Sequence, residues 1–429
     1  MNSFYNKVII FILILSLFLV SWFQFNHSPE ISDMAYVIAL GLDVGDTNNI
    51  KLSLQFASQG GGSSDSTSSE NSSSTASDSI VNTIECSSIS SGINLFNSYL
   101  SKEINLSHCK VLVISEELAS QGISEYIYTL MNNIQFNTDA NVIISKNGSE
   151  DFLKASKPVL EKMSAKYYEI IPTSSEYTGY TQNITLIDFF SSYLDTASSP
   201  VAILGSINNP STQEEYAKEI VSYNNSNNTS PLDSSEKDSS YIAGETPIDS
   251  KKNIENIGLA VFNKDTFVGE LNAMQSLCHL IMVNELKSGQ IRIPSPFREG
   301  EYIDLSIRLA KNTDKKVTLE NGTPYIECSI YLTSRILSMD ENSENLNKET
   351  INKIGDYTNK YLENNISNYL YKTSKEYNTD IDGFGNYARK YFTFWQDWQD
   401  YNWINNYKNA FFKVNVYSNI KSSYLLMES

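Results

Sequence analysis

From Val8 to Phe25 the chain carries no charge, and only Ser16, Ser21 and Gln24 interrupt the apolar run. As a helix rising about 1.5 Å per residue, this stretch is about 27 Å long, close to the hydrocarbon thickness of a bilayer. The pattern predicts one signal-anchor helix over about 8–25, with Val8, Phe11, Leu15, Leu19 and Trp22 as membrane-anchor residues. A cleaved signal has a shorter apolar core and a small-residue exit. Here the exit reads Val20-Ser21-Trp22-Phe23. Lys7 precedes the run and Glu30 and Asp33 follow it. That order of charge favours an inside N-terminus and an extracytoplasmic body.

Beyond residue 30 the pattern changes to short strands and amphipathic helices. "MAYVIALGLDV" and "IKLSLQFAS" read as strands, the second alternating in polarity. "CKVLVISEELAS" is a buried strand entering a helix, "ISEYIYTLMNNI" is helix and "ANVIISK" is strand. "SEDFLKASK" is a helix with Ser149 as its expected cap. The stretch "NIGLAVFNKDTFVGEL" predicts a hairpin turning at 263–265, followed by the apolar helix "NAMQSLCHLIMVNELK". Further on, Ile351, Ile354, Tyr361, Leu362, Ile366 and Tyr369 fall near one helical stripe. Two polar stretches, 58–80 and 208–253, have little to bury and are expected to be mobile insertions. Together these runs predict an α+β chain of three small mixed α/β domains in tandem after one N-terminal transmembrane helix. The expected units are an anchor over 1–29 and domains over 30–165, 166–290 and 291–429.

Composition narrows the function. The 429-residue chain is 41% apolar and 19% charged, so most of it should fold. Its net charge of −18 opposes binding to nucleic acid through bulk charge. Cys86, Cys109, Cys278 and Cys328 are widely spaced and form no zinc-like pair, so they read as small buried thiols, with one disulfide left open if the body lies outside the cytoplasm.

Candidate chemistry is sparse. "GFGNYA" at 383–388 lacks the third glycine of a dinucleotide loop, and "DIDGFG" at 380–385 misses the ligand spacing of a calcium loop. Glu116 and Glu117 are adjacent and point in different directions, which makes them a poor acid–base pair. His279 sits on an apolar helix beside Cys278, where a satisfied structural histidine is the expectation. The chain is therefore expected to be no enzyme and to need no metal or cofactor. The aromatic cluster 391–407 could stack on the sugars of a cell-wall or cortex glycan, but helically spaced aromatics are more often core.

Several stretches, in order, resemble one family. "EISDMAYVIALGLD" (30–43), "LSHCKVLVISEELASQGISEYI" (106–127), "NIGLAVFNKDTFVGEL" (256–271) and "DGFGNYARKYFTFWQDWQDYNW…FFKVNVYSNI" (382–420) are similar to signatures of the Ger(x)C family, the C subunits of bacterial spore nutrient-germinant receptors. The matching positions include Glu30, Asp43, Glu116, Glu117, Gly258, Gly269, Gly383, Gly385, Trp395 and Trp398. The resemblance implies three mixed α/β domains on the outer face of the spore inner membrane, without enzymatic activity. It also implies partnership with a multispanning A subunit and a transporter-like B subunit. Family members usually carry a lipobox cysteine, often followed by Trp; here Ser21 precedes Trp22. The helix itself, with no lipid, is then the expected anchor. The rival expectation is an extracytoplasmic cell-wall or cortex-binding protein that uses the 391–407 aromatics.

Overall fold

In the computed structural model the described residues are 2–25, 33–47, 49–57, 79–157, 164–208, 240–248, 253–339 and 347–421. Glu30 lies outside them, as do nearly all of the serine-rich stretch 58–80 and most of 208–253. The N-terminal helix forms over Asn2–Phe25. Its apolar side chains from Phe4 to Leu19 are exposed, Phe11 by 66% and Leu15 by 50%. Among the described residues, no helix is long and apolar enough to cross a membrane. The expected span needs the whole run to Phe25, and the side chains past Leu19, Trp22 included, lie outside the described set.

The body is a mixed α/β fold with two sheets. The first holds β1 (Met34–Val44), β2 (Ile50–Phe56), β3 (Ile80–Cys86), β4 (Glu103–Asn105), β5 (Val111–Ser115), β6 (Asn141–Ser145), β7 (Val201–Asn208), β8 (Asn253–Asn263) and β9 (Thr266–Leu271). Their order is β3-β2-β1-β5-β6-β7-β8-β9, with β4 beside β1. The centre, β1-β5-β6-β7, is parallel, and both ends are antiparallel. Parallel strands need crossover helices, which cover both faces. The sequence shows this directly, because β5 and β6 are apolar runs without polar alternation. Val111, Val113 and Ile143 pack on one face with Phe152 and Tyr168. Leu112, Ile114, Val142 and Ile144 enter the core on the other. The β6–β7 pairing carries strands of the expected first and second domains into one sheet. The expected hairpin is β8–β9, turning through Lys264 at φ 57°.

The second sheet contains β10 (Gly289–Pro294), β11 (Tyr302–Leu309), β12 (Asp314–Glu320), β13 (Thr323–Met339) and β14 (Phe411–Lys421). β11 and β12 pair antiparallel with successive halves of the long β13, and β14 runs parallel along the opposite edge. A free edge of this kind invites pairing with other chains. The helix Lys348–Tyr371 blunts it with polar side chains: Glu363 Oε1 accepts the Val416 N–H at 2.9 Å and Asn359 Oδ1 the Ser418 N–H at 2.8 Å. Glu363→Ala strips the partner from a part-buried amide and should cost about 1 kcal/mol. Urea denaturation checks this; a midpoint equal to the wild type's would mean that water replaces the carboxylate.

Candidate functional site

The stretch Asn378–Gly385 folds around two buried aspartates. Asn378 and Gly383 take positive φ, 51° and 70°, which turns the chain back on itself. Asp380 is fully buried. Its Oδ1 accepts the Asp382 N–H at 3.2 Å, and its Oδ2 accepts the Gly385 N–H and Trp403 Nε1–H, each at 2.8 Å. Burial raises its carboxyl to about 6, with the Asp382 charge adding to the rise and the donors opposing it. Gly385 has no room for a side chain, since a Cβ would stand 2.4 Å from the Ala197 carbonyl oxygen. The failure of the calcium-loop pattern has a physical counterpart: Asp380 turns both carboxylate oxygens to N–H groups of the protein. Among the described residues, no group of acidic, His or Cys side chains could hold a metal ion.

Asp382 belongs to a second buried chain of hydrogen bonds. Its Oδ1 accepts the Tyr369 hydroxyl at 2.8 Å and lies 3.0 Å from His279 Nδ1. His279 Nε2 lies 3.1 Å from Gln182 Oε1, while Gln182 Nε2 donates to Glu285 at 2.8 Å. His279 is 1% exposed and each ring nitrogen faces an oxygen acceptor. It ties the helix Ala273–Val283 to the aspartate loop.

Beside this loop lies a cleft of about 670 Å³. One wall comes from residues 193–199 at the entry to β7, with Asn263 and Lys264 of the β8–β9 turn. The other comes from Asn378 and the short helices Trp395–Tyr401 and Trp403–Tyr407. The walls are tied together: Ser199 N–H donates to the Asp380 carbonyl at 2.8 Å, Arg389 pairs with Asp195 at 2.9 Å, and Trp398 Nε1–H donates to Thr196 at 2.9 Å. Trp398 and Trp403 are each 2% exposed and line the cleft floor. Trp395 is 52% exposed and lies outside the cleft, which corrects the expectation of an all-core stripe. The break is Asn402, whose left-handed backbone (φ 50°) ends one helix and turns Trp403 inward.

The other sequence-marked positions are scattered through the scaffold. Asp43, on β1, accepts Ser149 N–H at 2.7 Å, Ser149 Oγ–H at 2.5 Å and Glu150 N–H at 3.1 Å. It therefore caps the helix Ser149–Ala155, a role expected of Ser149 itself. Glu116 and Glu117 open the helix Glu116–Gln121 behind the Ser115 cap. Burial, with the charge of Glu270, raises the Glu116 carboxyl. Gly258 (φ 94°) presses against the Leu271 carbonyl, where a Cβ would stand 2.2 Å away, and Gly269 lies against the ring of Tyr377. All four cysteines are buried and free, and burial pushes the Cys109 and Cys328 thiols up to about 12. Sequence reasoning missed the network roles of Asp380, Asp382, Gln182 and Tyr369. The Asp-x-Asp spacing before a Gly-Phe-Gly turn was the signal available for the first two.

Residues 27–207 match the family described as "Spore germination protein N-terminal domain", and residues 257–424 match "Spore germination B3/GerAC like, C-terminal". The chain is 24% identical over 389 residues to spore germination protein KC of Bacillus subtilis (strain 168), covering 86% of this chain and 85% of that one. Its fold is similar to the crystal structure of the GerBC protein, at 13% identity and a TM-score of 0.47, covering 89% of this chain and 96% of the other.

Proposed function

Because the chain belongs to the Ger(x)C family of spore germination proteins, we propose that it is a non-enzymatic, membrane-anchored subunit of a nutrient germinant receptor. It works beside the A and B subunits on the outer face of the spore inner membrane. The observation that carries this reading is the ordered pair of family matches, 27–207 and 257–424, which together take in both sheets. The contacts support a structural use of these groups: Asp43, a family position, caps a helix, and the buried Asp380 and His279 spend polar atoms on the protein itself. The anchor is the helix Asn2–Phe25, whose exposed apolar side chains from Phe4 to Leu19 suit lipid better than water.

Affinity capture of the tagged full chain from spore membranes tests the assembly. Co-purification of a multispanning protein and a transporter-like protein is the expected result. Capture of the chain alone from membranes that contain both would refute it. Carbonate extraction tests the anchor: the full chain should stay with the membrane, and a variant lacking residues 2–25 should be released. Intact mass of the extracted protein then reads whether a lipid is attached, and an added acyl mass would replace the helix as the anchor.

A further inference from the structure

We propose that the cleft between residues 193–199 and the helices of 395–407 is a binding site for a neutral saccharide. This goes beyond the receptor reading and does not depend on it.

Five side-chain amides converge on the space: Asn263, Asn378, Gln399, Asn402 and Asn405. They come from three separate parts of the chain. Among the described residues, none of these amides is engaged in a hydrogen bond, although backbone and side-chain bonds surround them. Asn378 adds an independent sign: its Oδ1 is buried without a partner. A buried acceptor left unpaired costs about 1–3 kcal/mol, and a ligand donor can recover that cost.

The lining also sets the ligand's charge. The carboxylate in the cleft is Asp195, and it is held by Arg389 at 2.9 Å and by the Ser198 hydroxyl at 3.1 Å. The cation is Lys264, alone at the hairpin turn. No concentrated charge awaits an ionic ligand. An amide offers a donor and an acceptor side by side, which is what a pair of vicinal hydroxyls requires. The half-buried Tyr193 and Ile404 and the exposed Leu194 give the lining an apolar surface suited to the C–H face of a sugar ring. A volume of about 670 Å³ falls within the range of about 300–1,000 Å³ usual for small-molecule sites. A peptide could use the amides too, and titration with tetraglycine separates it.

Free hexoses and wall glycan share this chemistry, so the test separates them. The full chain, purified in a detergent without a sugar headgroup, is titrated calorimetrically with D-glucose, with triacetylchitotriose and with tetraglycine. Saturable binding of a saccharide supports the proposal: glucose points to a free sugar, and chitotriose alone points to a glycan strand. Gln399→Leu and Asn405→Leu should each weaken that binding about tenfold, or about 1.4 kcal/mol. Both side chains are exposed, so the melting temperature should hold. Absence of saccharide binding up to the solubility limit would overturn the proposal. So would saturation by tetraglycine alone, or wild-type saccharide affinity in both variants.

Discussion

Trp403→Ala should lower the unfolding free energy by about 3–5 kcal/mol. The ring is 2% exposed and packs against Tyr407 and Trp398, with centroids 5.6 and 6.1 Å away. Truncation opens a cavity under the cleft and also removes the Nε1–H that Asp380 accepts at 2.8 Å. The second loss matters because a buried carboxylate keeps its charge only while donors surround it. Trp395→Ala is the contrast. That ring is 52% exposed, so the expected change is within about 0.5 kcal/mol. Chemical denaturation followed by circular dichroism reads both. Equal midpoints for the two variants would remove Trp403 from the core.

Asp380 should give the fold a pH dependence opposite to that of an ordinary paired carboxylate. Burial raises its carboxyl from 3.8 to about 6 in the folded chain. The folded state therefore holds this proton more tightly than the unfolded state. The stabilisation is complete below about pH 4 and is lost as pH rises through about 6. A rise of about 2 pKa units corresponds to about 3 kcal/mol. In D380N the step is absent, so wild-type stability relative to the variant should fall by about that amount between pH 4 and pH 7. Denaturant midpoints for both proteins across that range supply the test. A wild-type advantage that stays flat or grows with pH would mean that the donors at Asp380 outweigh its burial.

Local pattern revealed some of this architecture and concealed the rest. β5 and β6 were legible because a strand buried on both faces must be apolar at every position. The stripe around Ile354, Leu362 and Ile366 was legible because a helix buries one side. The β6–β7 junction was not, because which strands become neighbours depends on crossover geometry and not on the polarity of either strand. Trp395 and Trp398 are three residues apart and looked equivalent; the packing of Trp398 against Phe392 and Trp403 decides which ring is inside. The aspartates of 380–385 were compared with a metal-binding template, and nothing local shows that Asp380 turns to N–H groups while Asp382 turns to Tyr369 and His279. The cleft was invisible for a similar reason. Its amides sit at 263, 378 and 399–405, and only the folded chain brings them together.

The ties across that cleft also bear on the order in which the protein can be completed. Asp195 meets Arg389 across 194 positions of sequence, and Thr196 meets Trp398 across 202. During synthesis the residues leading into β7 emerge long before their partners. Contacts between such distant segments are slow to form, because the intervening loop must close before they repay its entropy. The first sheet can therefore pair its strands while the segment ahead of β7 still waits for its partners. The growing chain carries an unlatched flap until the aromatic helices arrive, and that interval is when a chaperone or a protease has the easiest access to this segment.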